Sequence, residues 1–474
     1  MMGGDPVKRR QFLHQFVATA GVFSLAPTLL AMQTAQARQT PNLLVLFADD
    51  MTYTDLGCYG NADVQTPHLD RLATESLRFN YCFNSAPMCA PTRMSLYTGI
   101  HPVRNGAYPN HSRIYDHIRT WPDYLSDLGY HVGLIGKTHH APAEKFPFDF
   151  LGGRHHDGGK GIDLDLGKVG SFIAKHKKTP WCLIVSSNQP HVPWNRGATS
   201  QYTPELFTLP PYLVDTPETR EALAKYYGEI SYMDNQMGQV LEYLRMTGQE
   251  EETLVIFLSE QGSNFPHCKW TCYETGLRSA CLVRWPGKTE PGSATDAMIQ
   301  YTDILPTFID IAGGDPDQHD FDGSSFLDVL TGKASSHHTH VYGVQTSKGI
   351  YYGPSAYGIR TVRDTRYRLI WNLNHENEFS NLVTEGFEPY LSWKEAAEQG
   401  NEFAAEQYNR YKSRPEFELY DLKKDPFEMI NLADRPEQQE KKESLFRKLQ
   451  SWMDEQGDQG VETERKALER QVDR

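Results

Sequence analysis

Positive charge is in short supply in this 474-residue chain: 47 lysines and arginines stand against 61 aspartates and glutamates, a formal net charge of −14. A surface of that sign repels a polyphosphate backbone and speaks against general nucleic-acid binding, whereas a pocket with its own local cations still accepts an anion. The apolar stretch Phe16 to Met32, broken by Pro27, falls short of the roughly 20 residues that span a bilayer, so no stable membrane insertion is expected. Internal repeats and low-complexity blocks are missing. So is the ligand spacing of a zinc site, and the doublets His139-His140, His155-His156 and His337-His338 are expected at the surface or in turns. Cysteine is sparse: Cys58, Cys82, Cys89, Cys182, Cys268, Cys272 and Cys281. Setting Cys89 aside leaves an even number, permitted to pair in an oxidising compartment, but connectivity does not follow from the sequence and no disulfide is assigned.

Ahead of the apolar stretch, Lys8-Arg9-Arg10-Gln11-Phe12-Leu13 resembles a bacterial twin-arginine export signal, and Ala35-Gln36-Ala37 fits a small-residue cleavage site. The expectation is a periplasmic or secreted protein whose residues 1–37 are removed, with a Sec signal as the alternative.

At 39% hydrophobic residues the chain can bury more than one domain's worth of core. Four short apolar, β-branched runs end abruptly in polar residues. Asn42 to Ala48 runs into Asp49-Asp50, Val132 to Gly136 into Lys137-Thr138-His139-His140, Trp181 to Ser187 into Asn188-Gln189-Pro190-His191, and Thr253 to Ser259 into Glu260-Gln261-Gly262. Helical stretches, among them Pro67 to Asn80, Trp121 to Gly129 and Thr219 to Thr247, lie between them. The alternation predicts an α/β fold: a large, mixed but mostly parallel sheet flanked by helices, whose ligands gather beyond the carboxyl ends of the strands. All four polar clusters then converge on one place.

Cys89-Ala90-Pro91-Thr92-Arg93 spells C-x-P-x-R at the opening of a short helix, with Pro91 placed for the first helical position and Gly99 for the stop. Cys89 there sits against the positive end of a helix dipole, with the Arg93 guanidinium one turn on, a setting that holds an anion. Taken alone, the pattern does not decide between this role and a small buried apolar residue. The convergence does. Asp49, Asp50, Glu260 and Gln261 are hard oxygen donors suited to calcium or magnesium, and Arg93, Lys137, His139, His191 and Lys269 supply cations and proton carriers. A divalent metal among cations suits charge developing on sulfuryl or phosphoryl oxygens, which predicts cleavage of an ester or amide of a tetrahedral oxyanion. Singly, each has a plainer reading: the Asp-Asp pair as a turn or cap, Lys269 beside Trp270 as a surface lysine.

From about Pro41 nearly to its end the chain resembles the type I, formylglycine-dependent sulfatases of the alkaline phosphatase superfamily. Gly133-Leu134-Ile135-Gly136-Lys137 with His139, Pro147-Phe148-Asp149-Phe150, Val214-Asp215-Thr216-Pro217, Met233-Asp234, Arg360-Thr361-Val362-Arg363, Asn372-Leu373-Asn374, Leu419-Tyr420-Asp421 and Asn431-Leu432-Ala433 are similar to the heparan N-sulfatase (sulfamidase) branch. The resemblance implies that formylglycine-generating machinery converts Cys89 to the aldehyde, and that Asp49, Asp50, Glu260, Gln261 and the modified Cys89 hold one calcium ion. It implies that Arg93 and Lys137, with His139 beside them, hold the sulfate and the aldehyde hydrate, while His191 and Lys269 face the bridging atom and outer oxygens. It implies covalent catalysis, in which His191 or Lys269 protonates the leaving group and His139 takes a proton from the hydrate. The family has Asp, then Asn or His, where this chain has the longer Glu260-Gln261. The sulfamidase branch has Arg where this chain has Lys269, which keeps the charge and loses a bidentate grip.

A boundary is expected over Gly332 to His340, dividing a catalytic domain, residues 38–335, from a smaller C-terminal subdomain, residues 336–474. There Val341 to Val344, Gly358 to Val362, Tyr367 to Asn372 and Phe417 to Tyr420 read as short antiparallel strands. Leu445, Phe446, Leu449, Trp452 and Met453 read as the stripe of a closing helix, and the charged tail after Gln456 as a solvated helix end or disordered chain. The branch likeness implies an N-sulfoglucosamine of heparan type as the sulfated saccharide substrate; an O-sulfate on another saccharide is the alternative. Gln345-Thr346-Ser347-Lys348 and Tyr351 to Tyr357 are candidates for the pocket rim or for a cap on the subdomain interface. A phosphatase or phosphodiesterase of the same superfamily would use Ser or Thr as nucleophile, and a non-catalytic glycan-binding protein would keep an unmodified thiol. The oligomeric state stays open, a dimer among the options.

Overall fold

The computed structural model describes residues 40–154 and 163–472. The expected export signal and the doublet His155-His156 lie outside the described residues.

Strands β1 (Asn42–Phe47), β2 (Leu77–Phe83), β3 (His131–Lys137), β4 (Asp149–Arg154), β5 (Trp181–Ser186), β6 (Thr253–Leu258), β7 (Arg278–Arg284), β8 (Ser293–Thr295) and β9 (Ile299–Gln300) make one sheet. Its order is β4-β3-β5-β1-β6-β7-β2-β8, with β9 beside β2. From β4 to β6 all pairings are parallel, and β7 runs antiparallel to both its neighbours, so β2 again points the same way as β6. The mixed, mostly parallel sheet matches the sequence reading. Alternate residues of β1 enter two different cores: Leu44 and Leu46 join one, Leu43, Val45 and Phe47 the other. A strand buried on both faces has no polar alternation, which is why it reads as a continuous apolar run. The helix Pro217–Thr247, started by Thr216 accepting from Thr219 N, lines the first core with Tyr226, Ile230, Met233 and Met237. Trp121, Ile304 and Phe308 line the second.

The helix predicted over Pro67 to Asn80 stops at Thr74, and Leu77 onward is strand β2. Ser76 Oγ donates back to Leu72 O at 2.7 Å and closes the helix. Burial of Leu77 and Phe79 with Arg78 and Asn80 turned outward is then a two-residue period.

A second sheet is antiparallel throughout: β10 (Val341–Gln345), β11 (Ile359–Arg363), β12 (Tyr367–Asn372) and β13 (Phe417–Asp421) in sequence order. The helix Gln439–Gln456 packs on it through the predicted stripe, with the Phe446 ring 5.1 Å from Trp371 and 5.2 Å from Phe417. The tail beyond Gln456 departs from the sequence reading. Asp458 and Glu464 are buried and both pair with the buried Arg360, so these acidic residues neutralise an internal cation instead of solvating a surface. The histidine doublets differ too: His139 and His140 are buried, and His338 Nε2 lies 2.9 Å from both oxygens of buried Asp303. All seven cysteines lie among the described residues, and none is disulfide-bonded.

Candidate active site

Phe47 of β1 stands in register with Ser186 of β5 and Leu258 of β6, and Gly136 of β3 with the same Ser186. Four chain segments therefore leave the sheet at one level of one edge. The fifth contributor follows β2 as the helix Cys89–Thr98, every residue of which is buried. It begins two residues before Pro91: Met88 is still extended, and Cys89 is the first helical residue. Pro91 thus sits inside the first turn, where a missing N–H breaks no helical bond. Gly99 stops the helix at φ 70°, as predicted.

Three residues of the edge, Asp50 (φ 60°), His139 (φ 44°) and Glu260 (φ 65°), hold left-handed backbones. For residues with a side chain this costs about 1–3 kcal/mol each and gathers where function over-determines the fold. Gly262 meets a different demand. A Cβ there would stand 2.0 Å from Thr275 O, so only glycine lets the Glu260-Gln261 loop close.

Asp49 accepts from Lys137 Nζ at 2.6 Å and faces Arg93 Nη2 at 3.5 Å. Arg93 Nε lies 2.6 Å from Glu260 Oε1, and its Nη1 donates to Ser186 Oγ at 2.5 Å. Glu260 Oε2 accepts from Asp50 N at 3.3 Å. Gln261 Nε2 donates to Asp50 Oδ1 and, at 3.2 Å, to Cys89 Sγ. Lys269 Nζ, 4.6 Å above the Trp270 ring, reaches Asp50 Oδ2 at 2.5 Å and His191 Nε2 at 3.2 Å. His191 Nδ1 donates to Val192 O at 2.6 Å. Lys269 is therefore no surface lysine, and His191 has one ring nitrogen committed to the backbone. His139 reaches this group through His111 and Asn110, the latter bonded to Ala90 N. The predicted site residues thus all gather at the sheet edge. Ser186, Asn110 and His111 were missed: Ser186 reads as strand filler, and Asn110-His111 belongs to no recognisable spacing.

Burial raises the pKa of Glu260 well above the usual carboxylate range; Arg93 opposes the shift, while Asp49 and Cys89 add to it. Burial works against the Arg93 charge, but Glu260 and Asp49 outweigh it and its pKa is raised. One ligand atom from each of Asp49, Asp50, Cys89 and Glu260 lies within 4.8 Å of the others. Gln261 Oε1 is buried without a hydrogen-bond partner. Crowded carboxylates and an orphaned amide oxygen, all hard donors, fit one calcium ion.

The rim candidates divide. Gln345, Thr346 and Ser347 are buried polar residues and Tyr357 is part of a hydrophobic core, whereas Tyr351 and Tyr352 are exposed.

The protein-family model for sulfatases matches residues 41–314, more than half of the chain. The chain belongs to the sulfatase family. A second model, the C-terminal region of N-sulphoglucosamine sulphohydrolase, matches residues 266–389 of this sulfatase. An ulvan-active sulfatase of Formosa agariphila is 33% identical, over 89% of this chain and 81% of its own. The human N-sulphoglucosamine sulphohydrolase is 30% identical, over 91% of this chain and 93% of its own. Among solved structures, a Bacteroides thetaiotaomicron protein described with the metabolism of multiple glycosaminoglycans superposes with a TM-score of 0.72 at 20% identity, covering 92% of this chain and all of that one. Another, in complex with its substrate D-glucosamine-2-N,6-O-disulfate, gives a TM-score of 0.65 at 19% identity, covering 90% of this chain and 99% of its own. The sulfatase shares the alkaline phosphatase-like fold of these structures and is a hydrolase of sulfate esters or sulfamates.

Proposed function

We propose that this sulfatase removes sulfate from a sulfated saccharide, with Cys89 converted to formylglycine as nucleophile and with one calcium ion held by Asp49, Asp50, Glu260 and Gln261. The observation that carries the reading is Cys89 at the first turn of a buried helix, bonded to Gln261 and 3.6 Å from Asp50, with Lys269 on the far side of the same aspartate. The aldehyde supplies a hydrated nucleophile that can re-form a carbonyl, as serine cannot, and calcium supplies charge stabilisation. The remaining work falls to side chains. A divalent ion bound there would hold Glu260 ionised, so that three carboxylates, Asp49, Asp50 and Glu260, cancel three cations, Arg93, Lys137 and Lys269, and the ion leaves the pocket positive and selective for an anion. Arg93 and Lys137, locked onto Asp49, hold sulfate oxygens from one side. Lys269 and His191, 3.2 Å apart, face the other and deliver a proton to the leaving atom. His139, tied to the nucleophile helix through His111 and Asn110, is the remaining proton carrier.

N-sulfoglucosamine is the first substrate reading, supported by the human relative that spans nearly the whole chain and by the C-terminal model. An O-sulfate of another polysaccharide is the second, favoured by the ulvan-active relative and by Lys269 in place of arginine. A panel of N-, 2-O-, 4-O- and 6-O-sulfated saccharides scored for released sulfate decides between them: release from N-sulfates supports the first, and release from O-sulfates alone removes it.

Among the described residues no helix is long and apolar enough to cross a membrane. Export by the twin-arginine route is part of the proposal. Changing Arg9→Lys with Arg10→Lys should retain the protein in the cytosol, and undiminished export would refute that route.

A further inference from the structure

His139 Nε2 lies 3.0 Å from Nδ1 of His111, the two ring centroids 4.8 Å apart. His111 Nε2 lies 3.3 Å from Asn110 Nδ2. Asn110 Oδ1 in turn accepts the backbone N–H of Ala90, next to Cys89 in the nucleophile helix, at 3.4 Å. A backbone N–H can only donate, so this last bond fixes which way the Asn110 amide points. Its Nδ2 therefore donates to His111 Nε2, and His111 carries its proton on Nδ1. That proton is donated to His139 Nε2, which leaves the proton of neutral His139 on Nδ1.

The run is firmly held. His111 (φ 55°) and His139 (φ 44°) both keep left-handed backbones. Asn110 N donates to Lys348 O at 3.1 Å, and Val472 N to His111 O at 2.9 Å. Gln471 Nε2 donates to Asn110 O at 3.1 Å. Chain from the loop after β10 and from residues 471–472 thus converges on two residues beside the nucleophile helix.

We propose that Asn110 and His111 are positioning residues that transmit the polarity of the Ala90 N–H to His139 and fix it as the Nδ1–H tautomer. His139 then offers an Nδ1–H donor to the site, and not first the basic Nδ1 that the family resemblance implies. The inference takes its catalytic meaning from the proposed function, but its detection does not depend on it.

Nitrogen NMR of the full-length protein with ring-labelled histidine, the His139 signals assigned by their loss in H139N, reads the tautomer directly. The expected spectrum has His139 Nδ1 protonated and Nε2 unprotonated. In N110D the new carboxylate can only accept, so it draws the His111 proton to Nε2 and reverses the relay, leaving His139 Nε2 protonated. A wild-type spectrum with His139 protonated on Nε2, or a folded N110D with no change, overturns the proposal. In the kinetic arm, H111A should lower kcat by about 10–100-fold with KM little altered, as partners that orient a reacting group do. H111N, which keeps an amide donor at the place of Nδ1, should recover most of that loss. A folded H111A with unchanged kcat and pH profile also overturns it. A wild-type protein that releases no sulfate sinks the functional reading and leaves the nitrogen spectrum to judge the relay.

Discussion

Arg93 and Glu260 form an ion pair cut off from solvent, Nε to Oε1 2.6 Å, with both side chains wholly buried. Such a pair rarely stabilises a fold more than apolar residues of the same volume would, so its presence is explained by the site it serves. Glu260 presents one oxygen to Arg93 and the other to Asp50 N, within the cluster that fits calcium. Calcium at about a hundred times its dissociation constant should therefore raise stability by about 2.7 kcal/mol over chelated protein. Glu260→Gln, which removes a charge and keeps the shape, should shrink that gap; a melting temperature indifferent to calcium would contradict the ligand set.

Cys89→Ala should abolish sulfate release while leaving the melting temperature within a few degrees, because the thiol fills little volume and bonds weakly. Cys89→Ser restores a hydroxyl but not the hydrated aldehyde, and should stay inactive in steady-state turnover. Sustained turnover by the serine variant would count for a phosphatase-like mechanism.

His338 and Asp303 tie the start of the small sheet to the large one, and their charge is pH-dependent. Burial works against the His338 charge, but Asp303 outweighs it and the pKa is raised. The pair's stabilisation is then fully present below the unfolded value near 6.5 and is lost as pH rises through the raised folded value. The stability advantage of wild type over His338→Gln should be largest at acid pH and narrow as pH rises, read by thermal unfolding. A difference that grows with pH would contradict the assignment.

Glu464→Ala leaves the buried Arg360 with Asp458 as its remaining carboxylate beside the carbonyls of Gln345 and Ile359, and truncation after Gln456 removes both carboxylates. Breaking a buried pair on one side costs about 3–5 kcal/mol. Denaturant unfolding of Glu464→Ala should show a loss of that order, with the truncation worse. Near-wild-type stability would restore the picture of a solvated tail.

The site was legible because parallel strands buried on both faces advertise themselves as apolar runs, and the residues just past the end of each run must lie on one edge. Asp49, Lys137, His191 and Glu260 were found that way, and Cys89 by its helix-opening pattern. The strands β2, β4 and β7 were not read: β2 hides behind a helix in one unbroken amphipathic segment, β4 carries Gly152 and Gly153, and β7 begins and ends in arginine. Asp458 and Glu464 were read as solvated because charge in sequence does not show its partner, and Arg360 lies about a hundred residues away. Asn110 and His111 escaped for a related reason. Their meaning lies in Ala90, Lys348 and residues 471–472, contacts that no local spacing records.

The proposed chemistry requires the side chain at position 89 to act as an aldehyde beside a calcium site. The most direct test is the mass of the Cys89-containing peptide from protein made in a host with formylglycine-generating machinery, measured on the same sample that is assayed for sulfate release. The expected result is an aldehyde in place of the thiol, with released sulfate rising in proportion to the converted fraction. Full activity from protein carrying only the unmodified thiol would contradict it.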